Sequence, residues 1–216
     1  MSYITHEMAG AALRKMHAFH TNLVALYSDH GMDLLEDLGR RNILMSRLQE
    51  KCFGEELRKK YPLTFSDGRT GLPDIVIPDL DCELECKLTS KHKSGAWSLQ
   101  TDFETLQKKG ELDYLYVLAD RTFTEFAVLH FKKLTINDFR PLSNGARGKV
   151  AMYKYKAMDR CTFLHGSIIN NKDAHLEKIY SALKSNPASF KAKELQKRAA
   201  YWQNANAQYS FVLEKI

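Results

Sequence analysis

The sequence predicts an α/β fold of three layers, a mixed sheet flanked by helices, and three observations predict it. Residues 73–88 hold two apolar runs joined by a Pro-Asp turn, the pattern of a β-hairpin. Residues 112–119 form an almost continuous apolar run of strand length, which suits a strand covered on both faces. Segments with helical apolar spacing lie before and after them.

Residues 5–29 read as a helix, with Thr5 as N-cap and Met8, Leu13, Met16, Phe19, Leu23, Leu26 and Tyr27 near helical spacing. Its His17 and His20, like the following His30, read as exposed or satisfied side chains. A short helical piece over 32–38 is expected to end at Gly39. Arg40-Arg41-Asn42 then forms a basic junction, either against phosphate or simply solvated. Residues 43–61 form a second strong helix, stopped by Pro62. At about 100° per residue, Ile43, Glu50, Phe53, Leu57 and Tyr61 share one face, and Leu44, Met45, Leu48 and Cys52 another. Leu63-Thr64-Phe65 suggests a short strand before a turn at 66–69.

After the hairpin, residues 90–95 read as a flexible basic loop containing Lys91 and Lys93, either on DNA phosphate or exposed. A helix follows over 96–109, with Trp97, Leu99, Phe103 and Leu106 toward the core and Gly110 as its stop. Residues 125–131 read as a further strand of the same sheet. Past a loop at 142–148, residues 149–157 alternate, with Lys154 and Lys156 opposite Tyr153 and Tyr155. Such a strand suits either contact along DNA or an edge guarded by lysine. Residues 160–169 are expected to pair with it. Helices are expected at 175–184 and 190–204, the second bearing Lys191, Lys193, Lys197 and Arg198, with a docked strand at 209–213.

A chain of 216 residues fits a single domain, with a helical N-terminal segment (1–61), a sheet core (62–131) and a basic C-terminal segment (132–216). Hydrophobic content of 44% and charged content of 27% are ordinary for a globule with a real core. The first residues lack a secretory pattern, and no apolar run approaches membrane-spanning length. Cys52, Cys82, Cys86 and Cys161 have no disulfide-like spacing, so reduced thiols and a cytoplasmic location are expected. Cys82 and Cys86 have no second Cys/His pair to complete a zinc site. Net charge of +6 is compatible with a polyanionic partner. No Gly-rich phosphate loop, Gly-x-Ser-x-Gly or His-Glu-x-x-His occurs.

The chemistry concentrates in the hairpin. Alternation puts Leu84, Cys86 and Leu88 on one face of the second strand and Glu83, Glu85 and Lys87 on the other. In ordinary register Asp74 reaches the Glu85–Lys87 face. Hard divalent cations such as Mg2+ take oxygen ligands and keep several waters, so one or two carboxylates suffice. The plainer alternative is a solvated strand face with a Glu–Lys pair. Glu50 is a second notable acid, because it shares a helix face with Phe53 and Leu57, and a buried acid needs a partner or a metal. Glu55, aligned with Leu48 and Cys52, is the competing candidate, and a plain Glu–Lys pair is the alternative for either.

Pro73-Asp74 followed by Glu85-Cys86-Lys87 resembles the PD-(D/E)XK nuclease signature shared by many type II restriction endonucleases. The resemblance implies a restriction-endonuclease-like core with the motif on a hairpin of a mixed sheet. It implies that Asp74, Glu85 and the Cys86 carbonyl bind Mg2+, with Glu50 as accessory acid from the preceding helix. Lys87 would position the attacking water, leaving a 5′-phosphate and a 3′-hydroxyl. Pro78-Asp79 is a second Pro-Asp, but it leaves too short a connection to Glu85. The function implied is cleavage of double-stranded DNA at a short specific site by a homodimer. Another PD-(D/E)XK nuclease, acting in repair or recombination or on RNA, and a non-catalytic nucleic-acid-binding domain are the alternatives.

Overall fold

Side-chain caps set where the two long helices begin. The Thr5 hydroxyl accepts the Met8 N–H at 3.2 Å and starts α1, His6–Asp29. The Asp37 carboxylate accepts the Arg40 N–H at 3.1 Å and starts α2, Leu38–Lys60. The structure, a computed structural model, describes residues 2–67, 72–90, 97–142, 148–166, 172–188 and 191–204, apart from a few side chains in the later helices.

The Asp37 cap corrects the sequence reading. Residues 32–37 form a coil and turn, and the helix runs straight through Gly39 and the expected basic junction. Its buried stripe is Arg41, Met45, Gln49, Cys52, Phe53, Glu56 and Leu57, whereas Ile43 is 72% exposed. Arg41 is wholly buried and unavailable to phosphate. Its guanidinium donates to the carbonyls of Asp120 and Arg121 and to Ser90 Oγ, and it lies over the Phe123 ring. It thereby ties the start of α2 to two loop ends of the sheet.

Six strands make the main sheet: β1 Phe65–Ser66, β2 Ile75–Ile77, β3 Cys82–Ser90, β5 Glu111–Ala119, β6 Phe126–Thr135 and β8 Cys161–Gly166, in the order β1-β2-β3-β5-β6-β8. Only β3 and β5 are parallel, so the sheet is mixed. Their connection carries β4, Gln100–Asp102, and α3, Phe103–Lys109. The expected helix over 96–109 is therefore halved. Residues 100–102 pair with β7, Lys149–Ala151, as a two-stranded ribbon, and the Asp102 carboxylate caps α3 through Thr105 N–H at 2.9 Å. Gly110 ends α3 at φ +80°, a conformation that favours glycine.

The sheet is covered on both faces, as the apolar run at 112–119 implies. Leu112, Tyr114, Tyr116 and Leu118 pack with Trp97, Leu99, Leu106 and Val150 on the ribbon side. Leu115, Val117 and Ala119 pack with Met16, Met45, Phe53 and Leu57 on the side of α1 and α2. Each of these large apolar side chains contributes roughly 1.5–3 kcal/mol on burial. A smaller cluster of Ile179, Ala199 and Trp202 joins α5, Lys172–Ser185, to α6, Ala192–Asn204.

The C-terminal third departs most from expectation. After β7 the chain turns into a short helix, α4 Lys154–Ala157, not a continued strand. Residues 161–166 pair with β6, not with 149–157. Arg198 of α6 is buried against Glu194, while Lys191, Lys193 and Lys197 are exposed. The expected strand at 209–213 lies outside the described residues. No described helix is long and apolar enough to cross a membrane.

Candidate active site

The hairpin forms as the sequence implies. Ile75 pairs with Leu84, Val76 with Glu83 and Ile77 with Cys82, and a 3-10 turn at Pro78–Leu80 joins the strands. Ile75, Ile77, Leu84 and Cys86 enter the helix-side core, which fixes the register because a one-residue slip would exchange the faces. Glu85 and Lys87 consequently face the ribbon side, where they adjoin Tyr114 and Tyr116 of β5.

Asp74, immediately before β2, reaches across. Its Oδ2 accepts the Cys86 N–H at 2.7 Å, between Glu85 and Lys87. The Lys87 ammonium donates to Glu85 Oε1 in a close ion pair. Glu85 Oε2 is buried and has no hydrogen-bond partner among the described residues. Burial raises the Asp74 carboxyl above its ordinary value, against Lys87 and the Cys86 N–H, and nearby Glu50 adds to the rise. Burial likewise raises Glu85, with the Asp74 charge adding to it and Lys87 opposing. For Lys87 burial works against the charge, but Glu85 and Asp74 outweigh it and hold the ammonium above its ordinary value. Its side chain keeps 30% exposure, enough to reach solvent while Glu85 stays inside.

Glu50 stands on α2 with its side chain 14% exposed, held by Arg47 at 2.5 Å, and its charge is felt by Asp74 and Cys86. The competing acid, Glu55, is committed to Lys15 of α1 at 2.8 Å. Asp79 is exposed on the 3-10 turn and accepts the Leu63 N–H at 3.1 Å, away from the cluster. The Cys86 thiol lies in the helix-side core with its pKa pushed well up by burial, so only its carbonyl could serve a cation.

The residues placed on DNA by sequence fare differently. Lys91 and Lys93 lie outside the described residues. Lys154 is 5% exposed and its ammonium donates to the Trp97 carbonyl at 2.5 Å, so it braces the ribbon-side core. That contradicts its place on a DNA-facing strand, because the chain is helical there and turns Lys154 inward. Lys156 is exposed, its ammonium 4.2 Å from the centre of the Tyr153 ring.

Gln49 and Asp113 were not singled out by sequence. Gln49 is buried beneath the site, donating from Nε2 to the carbonyls of Leu115 at 3.0 Å and Lys87 at 3.4 Å. Asp113, an acid inside an apolar run, fills a bulge of β5 by accepting the Lys133 N–H at 2.7 Å. It also borders a cavity of about 760 Å3 around the hairpin turn. Groups that line it pair with one another: Glu111 with Lys133 at 3.3 Å, and Cys82 with Tyr3 Oη at 3.1 Å. Burial pushes the Cys82 thiol up to about 12, so it is no nucleophile. The size of that cavity is therefore not matched by chemistry.

Among the described residues no group of three or more His, Cys, Asp or Glu side chains is arranged to hold a metal ion. What the hairpin offers is smaller: the buried carboxylate of Glu85 with an oxygen unpartnered among the described residues, the half-buried carboxylate of Asp74, and a main-chain carbonyl. That donor set fits a hard cation that keeps most of its waters. No protein-family model matches this chain, and a search of curated proteins finds no match.

Proposed function

We propose that the chain is a Mg2+-dependent endonuclease with a restriction-endonuclease-like core of the PD-(D/E)XK kind, hydrolysing double-stranded DNA at a short specific site as a homodimer. One observation carries this reading. Asp74, Glu85 and Lys87 converge on one face of an antiparallel hairpin, where burial raises both carboxyls and leaves a Glu85 oxygen without a partner among the described residues. The order helix, hairpin, helix, parallel strand agrees with the setting expected for the motif. The net charge of +6 suits a polyanionic substrate.

Asp74, Glu85 and the Cys86 carbonyl would hold the cation, with Glu50 beside them from α2. Bound there, Mg2+ would polarise a phosphodiester and lower the pKa of a water. The chain's own residues set the rest. Lys87, kept charged by Glu85 and Asp74, places a fixed positive charge where an attacking water is oriented and negative charge develops. The Asp74–Cys86 bond holds the two halves of the motif together. A homodimer would match the two-fold symmetry of a palindromic site.

The test is incubation of purified protein with unmethylated phage DNA, in Mg2+ or in EDTA, beside Lys87→Ala. Discrete fragments that require Mg2+ and vanish in the variant are the expected result. A smear or structure-specific nicking would move the assignment to another nuclease of the same kind. No cleavage with any divalent metal would overturn it.

A further inference from the structure

Lys87 opens on a cavity of about 220 Å3 that lies between the end of β3 and the β4–β7 ribbon. Its polar lining includes Thr89 from β3, Ser98, Gln100 and Asp102 from the β4 segment, and Lys149 from β7. Thr101 and Val150 of the ribbon are buried in the core, so strand alternation turns Gln100, Asp102 and Lys149 outward. The ribbon is tied to the main sheet from beneath: Thr101 Oγ1 hydrogen-bonds Tyr114 Oη at 2.9 Å, and Tyr116 Oη donates to the Gln100 carbonyl at 2.9 Å.

Two lysines, Lys87 and Lys149, and one carboxylate, Asp102, line this cavity. Lys87 has Glu85 as partner. Lys149 stands across from Asp102 in the ribbon register, but one Asp102 oxygen is committed to capping α3. Lys149 has no ion-pair partner among the described residues, and the Gln100 side-chain amide has no hydrogen bond among them. A cation and an amide held on a rigid ribbon, facing the same space as Lys87, suit an anionic group bearing further acceptors. The volume is below the roughly 300–1,000 Å3 of pockets that enclose a free small molecule. It fits one unit of a polymer that continues past it.

We propose that this cavity is the subsite for the sugar–phosphate unit flanking the attacked bond, with Lys149 pairing the phosphate and Gln100 bonding its oxygens or the sugar. The proposal rests on the nuclease reading above and deepens it. Both are positioning residues: they touch the backbone of the strand, not the reacting atoms. Backbone contacts of this kind set register and carry no sequence information.

The test uses full-length wild type, Lys149→Ala, Lys149→Arg and Gln100→Ala. Cleavage is read as KM and kcat in Mg2+, and binding of a short duplex by fluorescence anisotropy in EDTA across a salt series. Lys149→Ala is expected to raise KM about tenfold and to reduce the slope of log affinity against log salt by about one. Lys149→Arg restores both values, since the charge returns. Gln100→Ala raises KM several-fold and leaves the salt slope unchanged. Melting temperatures stay at the wild-type value, because both positions face solvent space. Wild-type cleavage with Lys149→Ala equal to it in KM and salt slope overturns the subsite alone. Absence of cleavage by the wild type in any divalent metal overturns the nuclease reading, and the subsite with it.

Discussion

The Asp74 carboxylate accepts the backbone N–H of Cys86 at 2.7 Å and so joins the two separated halves of the hairpin motif. The bond places an acid from outside β2 between Glu85 and Lys87 of β3. It also agrees with the pairing of Ile75 and Leu84, whose burial forbids a slip. Apolar pairing on one face and a carboxylate–amide bond on the other therefore specify one register.

That arrangement crowds two carboxylates, and Asp74→Asn tests the crowding. Asn keeps an acceptor for the Cys86 N–H but removes a charge that burial disfavours. An acid with a raised folded-state pKa destabilises the protein once pH exceeds its ordinary value of 3.8. In EDTA at pH 8 the variant should melt above wild type, while losing cleavage. The gain should shrink as pH falls through the raised folded value and vanish below the ordinary one. Asp79→Asn, at a carboxylate that accepts the Leu63 N–H, should keep full cleavage. Melting curves against pH and a plasmid assay decide both; full cleavage by Asp74→Asn sinks the assignment.

Lys87→Met removes the cation paired with Glu85. A buried carboxylate is then left with less compensation, which should cost about 1–3 kcal/mol near neutral pH. The sign with pH opposes simple acid denaturation. As pH falls Glu85 takes up a proton more readily than in the wild type, so the deficit narrows. Urea unfolding at pH 5 and pH 8 checks it. A deficit that widens at pH 5 would contradict the pairing.

How much of this was legible in sequence depends on what each residue answers to. Hairpin, central strand and the Thr5 cap follow from short-range patterns: period-two alternation, the run at 112–119, and Thr5 three residues before the Met8 N–H it bonds. The convergence of Asp74, Glu85 and Lys87 was legible for the same reason, since strand alternation decides it. Arg41 and Lys154 were misread because only long-range contacts bury them: the carbonyls of Asp120 and Arg121 for one, that of Trp97 for the other. The 149–157 segment alternates like a strand, but that pattern could not reveal that β4 was its partner for only three residues. Gln49 carried a signal that passed unread, a polar side chain on the stripe of Met45, Cys52, Phe53 and Glu56.

Lys154 and Lys156 should separate cleanly despite lying two residues apart. Lys154→Met leaves the Trp97 carbonyl without its ammonium and should lower stability by about 1–3 kcal/mol. Lys156→Met removes an exposed cation over Tyr153 and should change stability by less than about 1 kcal/mol. Denaturant midpoints measure the difference. An unchanged midpoint for Lys154→Met would mean that this lysine does not belong to the core.

Gln49 offers the sharpest test of how the site is supported from beneath. Its amide donates to the carbonyls of Leu115 and Lys87, on adjacent parallel strands, while its own Oε1 has no partner among the described residues. Gln49→Leu removes the donor and the unpaired oxygen together, so the net loss should be modest, about 1 kcal/mol. Gln49→Glu keeps the shape but turns a carboxylate toward two carbonyl oxygens, with no hydrogen to donate. It should cost more, about 2–3 kcal/mol at pH 8. Acidification restores a donor once that carboxyl is protonated, so the gap between Gln49→Glu and wild type should close as pH falls toward 5. Because Lys87 rides on the strand that Gln49 braces, both variants should lower kcat more than they raise KM. Equal stability of Gln49→Glu and wild type at pH 8 would show that the amide does not hold these strands.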